Sequence, residues 1–117
     1  MNDITIFHNP RCSKSRQALS LLQEAGAEVT VRLYLEDVPD EADLRDVLAK
    51  LGLSARDILR KGEEAYKLHF KDVTDEAALI SLLSQYPKVI ERPIIIKGDE
   101  AVIGRPPEAA LTLMAKD

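Results

Sequence analysis

Ile4-Thr5-Ile6-Phe7-His8-Asn9-Pro10-Arg11-Cys12-Ser13-Lys14-Ser15-Arg16 is the stretch on which the reading of this chain turns. Ile4–His8 is apolar and rich in β-branched residues, as a strand is. Asn9-Pro10 punctuates the chain as a turn. After Cys12, Ala18, Leu19, Leu22 and Ala25 recur at helical spacing, and Gly26 stands where a helix stops. Cys12 is the only cysteine. It falls where the chain enters a helix and backbone N–H groups lack intrahelical partners. A thiolate there is stabilised by the helix dipole and by neighbouring cations, and the thiolate is the reactive form of cysteine. The competing reading is a small buried hydrophobe, the common fate of a free cysteine.

Working outward, Glu28–Tyr34 alternates Val29, Val31 and Leu33 and predicts a second strand. Strand, crossover helix and strand over this length imply a parallel pair. The middle of the chain reads as helical. Asp40 caps a helix carrying Leu44, Val47, Leu48 and Leu51 that ends at Gly52. Ser54 caps a short helix holding Ile58 and Leu59 and ending near Gly62. Thr74 opens a third with Ala78, Leu79, Leu82 and Leu83, before Pro87. Strand character resumes at Ile94–Lys97. Gly98-Asp99 is a two-residue hairpin turn, and Ala101–Ile103 returns antiparallel. Pro106-Pro107-Glu108 starts a last helix. The expected architecture is α/β: a mixed central sheet in one domain, residues 1–117, with a helical insert over about 37–88.

Composition narrows the function. A net charge of −4 gives no basic patch for nucleic acid, and three Tyr, two Phe and no Trp offer few stacking platforms for bases. One cysteine excludes an internal disulfide, a cysteine-rich zinc site and a C-x-x-C pair, because Ser15 stands where a second thiol would be. Any redox cycle through Cys12 therefore needs a thiol from another molecule. His8 and His69 are too few for a metal site, and no metal is expected. No G-x-G-x-x-G or P-loop is present, and Cys12 to Arg16 is too short for a C-x5-R phosphatase cradle. Without a long apolar stretch, no membrane association is expected and a reducing cytoplasm is the expected location.

Four basic positions stand out beside Cys12: Lys14, Arg60, Arg92 and Arg105. Arg92 enters the hairpin and Arg105 leaves it, so the two are expected to lie close together. An arginine fork suits an oxyanion because it donates two parallel hydrogen bonds. A lone arginine is more often a solvated or salt-bridged surface residue. His8 either tunes the thiol or only ends the first strand.

The stretch His8–Arg16, with Leu33-Tyr34-Leu35-Glu36, Leu59-Arg60-Lys61, Glu91-Arg92-Pro93-Ile94-Ile95 and Gly104-Arg105-Pro106-Pro107-Glu108, resembles the glutaredoxin-linked arsenate reductase family, in order and over nearly the whole chain. The resemblance implies a thioredoxin-like fold in which Pro93 is the cis-proline. It implies Cys12 as nucleophile, with Arg60, Arg92 and Arg105 holding the oxyanion. It further implies arsenate as substrate, glutathione as co-substrate, glutaredoxin as partner and no bound cofactor. Ser15 is expected to donate a hydrogen bond to the thiolate. Well-known members have Gly-Thr after the cysteine where this chain has Ser13-Lys14, and its end soon after the last helix resembles the shorter, chromosomal branch. Two other functions fit the same fold. One is an Spx-like regulator that binds RNA polymerase, against which stand Ser15 in place of a second cysteine and the retained Arg105. The other is a thiol oxidoreductase acting on another oxyanion or on a glutathione mixed disulfide.

Overall fold

The computed structural model describes residues 4–114. Four strands, β1 (Ile4–Phe7), β2 (Val29–Arg32), β3 (Ile94–Lys97) and β4 (Glu100–Ile103), form one sheet in the order β2-β1-β3-β4. β1 pairs parallel with β2 and antiparallel with β3, and β3 pairs antiparallel with β4. The helices are α1 (Ser13–Glu24), α2 (Glu41–Leu51), α3 (Glu76–Gln85) and the short α4 (Leu111–Met114). The mixed sheet with a β1-α1-β2 crossover and a following hairpin is the thioredoxin-like arrangement. Among the described residues no helix is long and apolar enough to cross a membrane.

The chain divides into two compact units, one of residues 1–34 and 92–117 and the other of residues 35–91. The first is the sheet unit. Its core joins Ile4 and Ile6 of β1 and Ile95 of β3 to Ala18 and Leu22 of α1 and to Ala110 and Leu113 near the C-terminal end. Alternation along β1 sends Phe7 to the opposite face from Ile6. There its ring stacks on Tyr34 at 6.3 Å, and the Arg32 guanidinium lies 5.3 Å from its centroid. Gly26 follows α1 with φ +88°, a left-handed conformation that a side chain would strain.

The second unit is helical. α2 is held at both ends by its own sequence. Asp40 accepts from the Asp43 N–H at 2.8 Å while Asp43 accepts from the Asp40 N–H at 3.2 Å, and Gly52 closes the helix at φ +70°. α3 buries Leu79, Ile80 and Leu83 and packs against α2.

β1 ends one residue early, at Phe7 rather than His8, β4 begins one residue early, at Glu100, and further boundaries differ from expectation. β2 stops at Arg32 because it is an edge strand, with one neighbour and with Val31 exposed, so its alternation does not mark a buried face. Asp75, not Thr74, caps α3, accepting from the Ala78 N–H at 3.0 Å. The helix expected from Ser54 to Gly62 is a single 3-10 turn, Ala55–Ile58. Leu59 leaves it to bridge Ile90 in antiparallel fashion, a distant pairing that removes it from the helix. The last helix opens as a 3-10 turn, Pro107–Ala110, before α4. One helical segment was not expected at all: Tyr66–Phe70, wound as a π-turn.

Candidate active site

The site in the sheet unit is built on the loop between β1 and α1. The Asn9 side chain accepts from the Arg11 N–H at 3.0 Å, and the Asn9 carbonyl accepts from the Cys12 N–H at 3.0 Å. Two turns nested on one asparagine thus bring the chain round in few residues. Arg16 donates from Nη1 to the Pro10 carbonyl at 2.8 Å and fastens the loop to the helix it precedes. Cys12 is the N-cap of α1, in extended conformation at φ −95° and ψ 121°, and its side chain caps nothing. The first turn of α1 carries no acidic residue. It carries Lys14 and Arg16 instead, at the positive end of the helix dipole. That is an unfavourable place for cations unless an anion joins them.

Cys12 is buried, with 8% of its surface exposed. Arg105 reaches it: Nη2 lies 3.8 Å from Sγ. The same guanidinium donates from Nε to the Arg92 carbonyl at 2.8 Å. The register of the hairpin explains the meeting. Ile94 faces Ile103, so Arg92 and Arg105 flank that pair on opposite strands. The Arg92-Pro93 and Arg105-Pro106 peptide bonds are both cis. Gly104 completes the link, its N–H donating to the Pro93 carbonyl at 2.8 Å. A Cβ at Gly104 would sit 2.8 Å from Pro93 Cγ and 3.0 Å from Ile95 Cδ1, so only glycine lets the strand before Arg105 lie this close. Spacing singled out neither Asn9 nor Gly104. Their signals were the Asn-Pro turn and a glycine next to a site arginine.

Ser15 reaches back to the end of β1. Its Oγ lies 2.6 Å from His8 Nδ1 and accepts from the Asn9 N–H at 3.1 Å. His8 is buried, and burial, followed by the nearby Arg16 charge, holds its pKa below the ordinary histidine value. The direction of that hydrogen bond follows the His8 tautomer: Nδ1 as acceptor takes the Ser15 proton, and Nδ1–H as donor leaves that proton free. The hydroxyl ties the end of β1 to the first turn of α1 and positions the loop.

Arg60 belongs to the helical unit. Its N–H donates to the Val89 carbonyl at 2.7 Å, and the Glu91 N–H donates to the Ile58 carbonyl at 2.8 Å, on either side of the Leu59–Ile90 bridge. The guanidinium donates from Nη1 to Glu63 at 2.7 Å, and its Nε lies 3.6 Å from Glu91. Its charge is already shared by two carboxylates, which its sequence neighbourhood did not announce. In the sheet unit, then, the geometry gathers a thiol, a helix N-terminus and the Arg105 guanidinium, which is held on the Arg92 carbonyl. Such a set can receive an oxyanion and bring it to a sulfur nucleophile.

Comparison with known proteins follows the same lines. The ArsC family model matches residues 7–113. The chain is 46% identical to an arsenate reductase of Neisseria meningitidis serogroup A, covering 92% of this chain and 95% of that protein. It is 49% identical to the uncharacterized protein YfgD of Escherichia coli K12, covering 95% and 96%. Among solved structures, an arsenate reductase from Vibrio cholerae superposes with a TM-score of 0.89 at 41% identity, over 93% of this chain and 95% of that one.

Proposed function

The chain belongs to the ArsC family, and on that premise we propose that it reduces arsenate to arsenite, with Cys12 as nucleophile and with glutathione and glutaredoxin supplying the other thiols. One observation carries the reading: Arg105 stands 3.8 Å from the Cys12 sulfur at a helix N-terminus that holds cations and no carboxylate. Arsenate, a tetrahedral oxyanion, meets there the N–H groups of the first turn and the guanidinium forks. Arg105 and Arg92 hold its oxygens, and the family resemblance implies Arg60 as a further oxyanion ligand.

Charge neutralised on the oxygens lets the Cys12 thiolate approach arsenic. Sulfur attacks, a water leaves, and a Cys12–arsenate adduct forms. Glutathione adds its sulfur to the same arsenic with loss of a second water. A glutaredoxin thiolate then attacks the glutathione sulfur. The sulfur–arsenic bond breaks with its electron pair left on arsenic, which falls from the pentavalent to the trivalent state. Two thiols have become one mixed disulfide, which balances the two electrons gained. Hydrolysis of the remaining sulfur–arsenic bond frees arsenite and restores Cys12. A reducing cytoplasm is where those thiols are supplied. His8 and Ser15 act through position, fixing the loop that presents the sulfur.

The test is arsenate-dependent NADPH oxidation in the presence of glutathione, glutaredoxin and glutathione reductase. Turnover that requires arsenate and disappears in Cys12→Ser is the expected result. A wild-type protein that turns over without arsenate, or not at all, overturns the assignment.

A further inference from the structure

β2 stands at the edge of the sheet, and with the residue before it reads as a self-complementary pattern. Glu28-Val29-Thr30-Val31-Arg32 places an acid and a base at its ends, a valine inside each, and a threonine at the centre. β1 takes one side of the strand. The His8 N–H donates to the Arg32 carbonyl at 2.9 Å, and the register sets Thr30 beside Thr5 and Arg32 beside Phe7. Backbone groups alternate in direction along a strand, so Thr30 and Arg32 turn theirs to β1. Val29 and Val31 turn their N–H and C=O groups to the open edge.

The side chains alternate as well. Val29 and Val31 lie beside Ile4 and Ile6 of the core. Val29 packs against that core, while Val31 stays 41% exposed. Continuing the alternation, Glu28, Thr30 and Arg32 fall on the other face, where the Arg32 guanidinium lies over the Phe7 ring. Glu28 and Thr30 are exposed. Sheet edges are commonly guarded by proline or by charges that repel a second strand. β2 has no proline, and the two charges of this stretch are of opposite sign. β4, at the other edge, carries Glu100 and no basic residue to oppose it.

We propose that β2 is a dimerisation edge, to which a second copy of this chain adds its own β2 antiparallel about a twofold axis through Thr30. Pairing about that residue sets Thr30 against the partner's Thr30, Val29 against the partner's Val31, and Glu28 against the partner's Arg32. The backbone agrees with this register. Val29 and the partner's Val31 exchange both N–H···O bonds, because these are the residues whose groups face outward. The two threonines form the non-hydrogen-bonded pair, in which side chains stand closer. Each exposed Val31 is covered by a valine, and opposite charges meet at both ends. Such an interface is isologous and closes after two copies. A strand pair this short buries little surface, so the dimer is weak, in the class of transient contacts below about 1,200 Å². Neither Cys12 nor Arg105 belongs to it, so the proposal stands apart from the arsenate reading.

Sedimentation equilibrium of the whole protein at up to about 1 mM, with reductant to keep Cys12 a thiol, tests it. A monomer–dimer equilibrium is the expected result. Glu28→Arg sets like charges across both ends, as does Arg32→Glu, and each variant alone should associate about tenfold more weakly or worse. Mixed in equal amounts, the two variants again face opposite charges, and association should return. Circular dichroism checks that both keep the fold. Amide exchange of the wild type reads the edge without any variant. The Val29 and Val31 N–H groups should become more protected as concentration rises, while those of Thr30 and Arg32, already held by β1, should not change. No dimer at about 1 mM overturns the proposal. A dimer without that exchange pattern does so too, as does one that Glu28→Arg leaves unweakened, or a folded mixture that associates no better than its parts.

Discussion

The N-terminus of α1 and the N-termini of α2 and α3 are built in opposite ways. α2 and α3 begin with Asp40 and Asp75, whose side chains accept backbone N–H bonds, and both have acidic first turns. These are the choices that stabilise a helix end. α1 begins with a cysteine that caps nothing, and its first turn carries Lys14 and Arg16. Its unsatisfied N–H groups and its uncompensated dipole stand beside the Arg105 guanidinium. The contrast separates two helix ends arranged for folding from one that the proposed function leaves open for an incoming anion. A stabilising cap at α1 would fill the place that the substrate needs.

Cys12→Asp turns α1 into a helix end like the other two, and it carries the largest expected effect. The variant should lose arsenate-dependent turnover entirely. It should gain about 1 kcal/mol of stability, the usual worth of an N-cap carboxylate. Urea denaturation read beside the coupled assay checks both halves. A variant less stable than the wild type would mean that the bare end of α1 is not a stability sacrifice.

Arg105→Ala comes next, since it removes the cation nearest the sulfur. A fall of roughly 10²–10³-fold in kcat/KM is expected, as for the loss of one preorganised donor to a developing oxyanion. Arg105→Lys restores charge without the fork and should recover only part of the rate. Arg60→Ala should lose less than Arg105→Ala, because Glu63 and Glu91 already share the Arg60 charge. Equal losses at both positions would show that the resting ion pairs do not matter to substrate binding.

Much of this contrast can be read from short-range signals. Gly26, Asp40, Gly52 and Gly98-Asp99 each punctuate the chain for a local backbone reason, and α1, α2 and the hairpin lie where they predict. The meeting of Arg92 and Arg105 was legible as well, because a two-residue turn fixes the register that sets them opposite each other. What escaped depends on distant partners. Leu59 has helical spacing yet is drawn out by Ile90. Glu63 and Glu91 reach Arg60 only once that bridge has formed. The π-turn left no periodic trace, since Lys67, Leu68 and His69 are exposed and only Phe70 is buried. The link from Ser15 to His8 and to the Asn9 N–H spans the loop and leaves no trace in local spacing.

Asp40→Ala probes the other side of the comparison with a smaller effect. The Asp43 N–H loses its acceptor while the backbone N–H at position 40 still donates to Asp43, and about 1 kcal/mol of stability goes. Turnover per folded molecule should not change. A fall in kcat/KM out of proportion to the loss of folded protein would break the division between helix ends made for stability and the one made for chemistry.

The smallest expected effect tests how the exposed end of α1 is held in place, and it is a pH dependence. Burial first, and then Arg16, lowers the His8 pKa in the folded protein below the ordinary value of 6.5. The unfolded chain therefore binds a proton that the folded one refuses as pH falls through that value. Stability contributed by neutral His8 is fully present above the unfolded pKa. It declines as pH drops below about 6.5 and stops declining below the lowered folded-state value. Protonation also places a donor on Nδ1, so Ser15 must turn its own proton away from His8. Unfolding free energies at pH 7.5 and 5.5 should differ more in the wild type than in His8→Gln, where nothing titrates at that position. If the two proteins lose stability equally over this range, His8 is not held neutral by its burial, and the hydroxyl link between β1 and α1 does not depend on its ionisation.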